Sequence, residues 1–265
     1  MRYIAFAGCM LLRLSVSFGQ GYAAGQSPCL APVTAFLPGP LAAAFCNPAP
    51  VDTTHSWSVG CAYAQPYFVD GHAVIALAFN SPDTKAGRLQ AGILRSGNSW
   101  YRRYALAAGF SRSFGRGSVV GLNAEIRTLS IAEGFGNERA AAVQAAWRMP
   151  LSPQLQTVAA CRIPIVAGVQ TPPQVWMGVR AKCSASFQLE TAVRVDSVSA
   201  SVSAGMHYMP KPGLSIRAGM SFFPFRPGLL VRLHTGGLLI LLAIESHQAL
   251  GVTPAGGFEL GGSRQ

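Results

Sequence analysis

Charge is scarce in this sequence. Only 12% of the 265 residues are Asp, Glu, Lys or Arg, about half of the ~25% carried by an ordinary soluble domain. With 50% hydrophobic residues, the composition excludes the disordered class, which combines low hydrophobicity with high charge. Lysine is nearly missing, since Lys85, Lys182 and Lys211 are the only three among 21 basic residues. The net charge of +11 would suit an anionic partner. However, the arginines stand singly along apolar stretches instead of clustering with aromatics, so no nucleic-acid partner is expected. Long apolar runs are missing too. Beyond the N-terminus no stretch approaches the ~18 residues a spanning helix needs, and the best candidate, residues 236–244, is far too short. The six cysteines and five histidines show no metal-ligand spacing, so neither a metal nor a cofactor is expected. Glycine and proline are plentiful, at 29 and 18 residues. That disfavours a helical bundle, because each weakens a helix interior by about 1 to 3 kcal/mol.

Met1-Arg2-Tyr3, the apolar residues 4–12 and the small residues 15–19 read as a secretory signal over residues 1–19. Cleavage there would remove Cys9 and leave Cys29, Cys46, Cys61, Cys161 and Cys183. Cys29 and Cys46 are candidates for a disulfide, and the other three sit at apolar positions of strand patterns as small hydrophobes. An exported chain this apolar is either a soluble sandwich or a membrane barrel. Closed barrels are the only strand-built way to span lipid, because an open sheet edge would leave backbone groups unpaired in hydrocarbon.

Residues 20–56 are rich in Pro and Ala without a sustained period, and read as an irregular N-terminal arm or plug. From Trp57 the pattern alternates with period two. Val120, Leu122, Ala124 and Ile126 oppose Gly121, Asn123, Glu125 and Arg127; Phe187, Leu189, Thr191, Val193 and Val195 oppose Gln188, Glu190, Ala192, Arg194 and Asp196. Leu214, Ile216, Ala218, Met220 and Phe222 repeat it. The pattern predicts about fourteen strands over residues 57–261, many of 9 to 12 residues, the length a tilted strand needs to cross a bilayer. Tight links, as at 114–117 and 211–213, fall between longer ones such as 132–138, 166–172 and 246–252. The expected fold is all-β: an antiparallel, up-and-down transmembrane barrel, with residues 262–265 as a tail and both termini periplasmic. A soluble sandwich would carry Lys and Glu on its polar face, whereas this one carries Gly, Ala, Ser, Gln and single Arg residues.

Asn47-Pro48-Ala49, just before the first strand, resembles the Asn-Pro-Ala motif of the long-chain fatty-acid transporter (FadL-like) family of outer-membrane barrels. Residues 92–104, 132–136, 208–219 and 247–253 are similar to its small relatives, including the PorV-like barrels of type IX secretion. The resemblance implies fourteen strands, an N-terminal segment folded inside, and either passage of hydrophobic ligands or docking of exported proteins. The family's extended extracellular capture region has no counterpart between these short loops.

Strand parity places Arg103, Arg127, Arg148, Arg162, Arg180, Lys182, Arg194, Arg217 and Arg232 in the lumen with Glu125, Glu190, Asp196 and Glu245. These arginines would either attract an anion or a carboxylate headgroup, or pair across strands and with the arm as polar packing. Trp57, Tyr63, Trp100, Tyr104, Trp147, Trp176, Tyr208 and Phe222 are expected as interfacial girdles. His207 shares inward parity with Ser201 and Ser203. No nucleophile–base pattern supports an enzyme, because same-strand partners lie too far apart to meet. Two roles stand: a channel for hydrophobic or anionic amphiphilic molecules gated by the arm through Asn47, Pro48 and Ala49, or a lipid-embedded anchor for an exported protein docking at residues 132–138, 223–228 and 246–252.

Overall fold

The computed structural model describes residues 36–49, 55–132, 136–166, 173–196 and 199–263. The expected signal, Cys29 and its pairing with Cys46, and most of the arm lie outside those residues, as do parts of the loops at 132–138 and 166–172. Within them the chain forms a closed barrel of fourteen antiparallel strands, each hydrogen-bonded to its sequence neighbours. The strands are β1 (His55–Ala64), β2 (Ala73–Asn80), β3 (Arg88–Gly97), β4 (Tyr101–Phe114), β5 (Ser118–Ile131), β6 (Asn137–Pro150), β7 (Leu155–Val166), β8 (Gln174–Lys182), β9 (Phe187–Asp196), β10 (Ala200–Lys211), β11 (Leu214–Phe222), β12 (Arg226–Thr235), β13 (Leu238–His247) and β14 (Gly251–Ser263). Closure comes from β1 pairing with β14, where Val59 faces Leu260 and His55 faces Ser263. The sheet therefore has no edge for water or another strand to claim.

Alternation creates the two faces, and burial runs opposite to that of a soluble protein. Along β5, Val120, Leu122 and Ile126 are 37%, 52% and 57% exposed, whereas Asn123, Glu125 and Arg127 are 4%, 6% and 7% exposed. Apolar side chains outside and polar ones inside suit a barrel whose exterior solvent is lipid. Among the described residues no helix is long and apolar enough to cross a membrane; the strands form the span.

Several expectations change in detail. β12 starts at Arg226, β13 runs to His247 and β14 extends to Ser263, so the barrel takes in residues first placed in loops or in the tail. The rims differ less than expected. The rim that carries both strand ends has two-residue turns at 212–213 and 236–237 but also a seven-residue link at 81–87, while the opposite rim has three-residue links at 98–100, 223–225 and 248–250. One cause is the Asn98 side chain, whose Oδ1 accepts the N–H groups of Trp100 and Tyr101, both at 2.9 Å, and closes β3 onto β4 without added chain. Trp57, Tyr63, Trp100, Tyr104, Trp147, Tyr208 and Phe222 are exposed on the exterior. Trp176 is not a girdle residue: its parity on β8 is inward, and it packs against Phe36, Val158 and Ala49.

Candidate functional site in the barrel lumen

Residues 36–49 lie within the lumen and are buried except at Pro38 and Gly39. Their middle forms α1 (Pro40–Phe45). Pro40 sits at the first helical position, where its fixed φ is suitable and its missing N–H costs nothing. Six residues cannot hold a helix in isolation, so the barrel wall must hold it. Three consecutive alanines, Ala42 to Ala44, keep the segment thin, and Leu41 and Phe45 fill the space beside Ala62, Ala76, Ala78 and Ala107.

The wall is cut away where the segment touches it. A Cβ on Gly92 would lie 2.7 Å from the Phe45 ring, and one on Gly121 would lie 2.1 Å from the carbonyl oxygen of Pro48. Gly60 faces Pro40 and Gly178 faces Phe36 in the same way. Side-chain amides then clamp the backbone. Gln90 Nε2 donates to the Pro48 carbonyl at 2.9 Å, Gln144 Nε2 to that of Cys46 at 2.6 Å, and Asn123 Nδ2 to that of Ala44. Arg180 donates to the Phe36 carbonyl and stacks over its ring at 4.7 Å from the centroid. The Asn47-Pro48-Ala49 motif is wholly buried here, with Asn47 Oδ1 accepting the Ala49 N–H at 3.0 Å. That closes a local turn at the end of the plug.

The seven candidate arginines are distributed among distinct environments. Arg127 and Arg162 converge on Glu125, the second at 2.7 Å. Arg180 and Arg217 converge on Glu190 at 2.8 and 2.9 Å. Each triad bridges strands that are not neighbours, β5 with β7 and β8 with β11 through β9. Arg194 donates to Gln174 Oε1 at 2.7 Å, Arg103 lies 5.7 Å from the Tyr101 ring centroid, and Arg148 is buried on β6. Lys182, expected inside, is exposed at the end of β8. Ion pairing therefore accounts for four of the seven, across strands for Arg162, Arg180 and Arg217 and within β5 for Arg127.

The sequence reading missed the amide clamps and three buried charges: Arg88, Arg226 and Glu259. Arg226 lies 3.8 Å from Glu245, and Arg232 lies 4.0 Å from Glu259. Between α1 and the rim carrying both strand ends lies a polar cavity of about 20 Å³, bounded by Gly39, Ser58, Asn80, Arg88, Arg232 and Glu259. It has room for about one water molecule. Of the residues that share inward parity on β10, Ser203 donates to the Ala192 carbonyl at 3.3 Å, and His207 makes no hydrogen bond to Ser201 or Ser203 among the described residues.

An apolar exterior, an edgeless fourteen-stranded wall and an N-terminal segment seated in the lumen define a membrane-spanning barrel with an internal plug. The fold is shared with the toluene transporter TodX of Pseudomonas putida, at a TM-score of 0.65 and 11% identity over 89% of this chain and 96% of that one. The toluene transporter TbuX of Ralstonia pickettii matches at 0.63 and 13% identity, over 90% and 98%. Both are FadL-family barrels, so the expected resemblance to the FadL-like family holds at the level of the fold. No protein-family model and no curated protein sequence matches this chain.

Proposed function

We propose that the protein is an outer-membrane channel for small hydrophobic or amphiphilic molecules, and that residues 36–49 form a plug that must yield before a molecule passes. The observation that carries this reading is the seating of the plug: glycines on four strands make room for it, and amides on three hold its carbonyls. The wall is thus built around a separate segment instead of closing on its own side chains. The lumen lining favours an anionic headgroup over a cationic one. Ten arginines have inward parity, the eight expected from sequence with Arg88 and Arg226, against Glu125, Glu190, Asp196, Glu245 and Glu259, a surplus of five positive charges. The rim carrying both strand ends faces the periplasm in this reading, and Asn47, Pro48 and Ala49 form the hinge side of the gate.

Proteoliposomes test it with octanesulfonate, an amphiphile that stays ionised and crosses bare lipid slowly. Protein-dependent entry of octanesulfonate, faster than that of a neutral disaccharide, is the expected result. No entry above protein-free vesicles, together with an exported protein recovered at equal stoichiometry from the native membrane, would replace the channel by an anchor.

A further inference from the structure

Charge on the outside of the barrel is as unevenly placed as the plug inside it. Residues directly opposite each other on neighbouring strands share a face, so the register assigns each side chain to the lumen or to the exterior. Over the half of the wall towards the rim opposite the strand ends, three charged side chains face outward among the described residues: Arg95 on β3, Arg102 on β4 and Arg139 on β6. All three are exposed. The same half of β1, β2 and β7–β14 presents no charge to the outside among the described residues. Cations that merely anchor a barrel among headgroups would be scattered around the ring, whereas these are gathered on four adjacent strands.

The three arginines occupy two rows that run around the wall. Arg95 stands opposite Tyr104, Tyr104 opposite Thr128, and Thr128 opposite Arg139. One step nearer the rim, Gly97, Arg102, Ser130 and Asn137 form the next row. One step the other way the row is Ile93, Leu106, Ile126 and Ala141. Apolar wall therefore gives way to cationic and hydroxylated wall within a single step of ~7 Å along the strand. Arg95 and Arg139 are three strand spacings apart, about 14 Å, and Arg102 projects between them. The exposed Trp100 stands beside this patch, and its carbonyl accepts the Ala132 N–H at 2.8 Å. Together with the Asn98 turn, that bond fixes the link between β3 and β4 against the end of β5.

The chemistry of the patch limits its occupant. None of the three guanidinium groups makes an ion pair among the described residues. The nearest acid, Glu138, stands opposite the buried Leu129 and so has inward parity. Arginines at the edge of hydrocarbon hold their charged ends in the headgroup layer, where phosphate is the anion at hand, and the planar guanidinium takes phosphate through paired N–H bonds. Three such forks spread over about 14 Å serve a headgroup with phosphates at more than one point. Thr128, Ser130 and Asn137 add donors and acceptors for hydroxyl groups, which a sugar carries. The apolar row below them fits acyl chains.

We infer that the exterior of β3–β6, through Arg95, Arg102 and Arg139, is a binding site for an acylated sugar phosphate of the outer leaflet, the chemistry of a lipid A headgroup with two phosphates. The leaflet rests on the proposed orientation, in which the strand ends face the periplasm; the site itself rests on the register and on the uncompensated charge. β3 also carries Gly92 and Gln90, which seat the plug from the other side of the same wall. A lipid held here therefore lies behind the part of the barrel against which the plug packs.

Native mass spectrometry of the full-length protein in detergent tests this with three probes: diphosphoryl lipid A, phosphatidylglycerol as a lipid with one phosphate, and sodium pyrophosphate as free phosphate. The expected result is one lipid A retained per barrel, bound at least about tenfold more tightly than phosphatidylglycerol, a difference of ~1.4 kcal/mol, with pyrophosphate not retained. The triple variant Arg95→Gln/Arg102→Gln/Arg139→Gln removes only exposed groups without ion pairs, so it should fold as the wild type does and bind lipid A at least about tenfold more weakly. Arg112→Gln, at the other end of β4, should bind as the wild type does. The inference is overturned if lipid A and phosphatidylglycerol bind alike, if pyrophosphate is retained as well as the lipid, if the triple variant binds as tightly as the wild type, or if Arg112→Gln is as weak as the triple variant. Orientation and channel are read separately. In a protein otherwise free of cysteine, Ser99→Cys should react with a membrane-impermeant maleimide on intact cells; labelling of Lys85→Cys, in the link at 81–87, in its place would turn the barrel over and overturn the leaflet. Octanesulfonate entry into phospholipid vesicles without lipid A measures the channel with the site empty, so failure of the site and failure of the channel remain distinguishable.

Discussion

Replacing Gly121 by valine should release the plug without harming the barrel. A Cβ at this position would lie 2.1 Å from the Pro48 carbonyl oxygen, 2.2 Å from the Pro48 carbonyl carbon and 2.7 Å from the Ala49 nitrogen. Ordinary contact begins near 3.4 Å, so the Pro48 carbonyl must retreat by about 1.3 Å. From 2.9 Å, that retreat carries it beyond reach of Gln90 Nε2; a net hydrogen bond is worth about 1 kcal/mol. Overpacking adds about 1 to 3 kcal/mol. Together these weaken docking by about 2 to 4 kcal/mol, a shift of roughly 30- to 1,000-fold toward the undocked plug. Gln90 keeps its other bond, to Ser111 Oγ at 3.0 Å, and the strand itself gains a β-branched residue, which suits a pleated backbone. Two assays read the result: conductance across a planar bilayer, and maleimide labelling of the buried Cys46 thiol in a background where every other cysteine, the half-exposed Cys61 and Cys161 and the exposed Cys183 included, is serine. The variant should conduct more and label faster at unchanged barrel stability. Gly256→Ala, whose added Cβ meets nothing closer than 3.7 Å, should do neither. A Gly121→Val protein as closed and as slowly labelled as the wild type would refute the steric reasoning.

Glu190→Ala strands Arg180 and Arg217 without their shared carboxylate, so unfolding from lipid vesicles by urea should show a loss of about 3 to 5 kcal/mol; a change within error would mean that the triad is solvated. Leu122→Arg places a charge on the lipid face and should cost about 2 to 4 kcal/mol near the bilayer midplane, measured by the same unfolding; a silent substitution would deny that this face meets hydrocarbon. Burial holds the imidazole of His72, in the link between β1 and β2, below its ordinary pKa of 6.5. The stability this neutral imidazole gives the link is complete above pH 6.5 and is lost as pH falls through the lowered value. Hydrogen exchange over residues 65–72 should accelerate in acid, and His72→Gln should flatten that dependence.

Much of the barrel was legible because two solvents read the two faces of each strand. In β5, β9 and β11 the alternation of aliphatic with polar residues set element type, parity and the positions of Glu125, Arg127, Glu190 and Arg217 in the lumen. Where contrast between faces fails, so did the reading. β14 is rich in glycine, so that only Phe258 and Leu260 beside Glu259 carry the alternation there, and Arg226 lay outside the expected β12. Trp176 looked interfacial because aromatic character says nothing of direction, whereas parity with Gln174 and Gly178 turns it inward against Phe36. The plug was visible only as a segment without period. Its helix rests on a proline start and on the wall's glycines, and its clamps at Gln90, Asn123 and Gln144 belong to strands 40 to 100 residues away, beyond the reach of any local pattern.

The central claim is that the path through this barrel is the space residues 36–49 occupy. A reversible tether tests it most directly. Cysteines at positions 44 and 92 would place their Cβ atoms close together, since a Cβ on Gly92 lies 2.9 Å from that of Ala44 and a disulfide needs ~3.5 to 4.5 Å. In a protein otherwise free of cysteine, octanesulfonate entry into proteoliposomes should stop on oxidation and return on reduction. Entry that continues at the same rate with the disulfide formed would contradict the account.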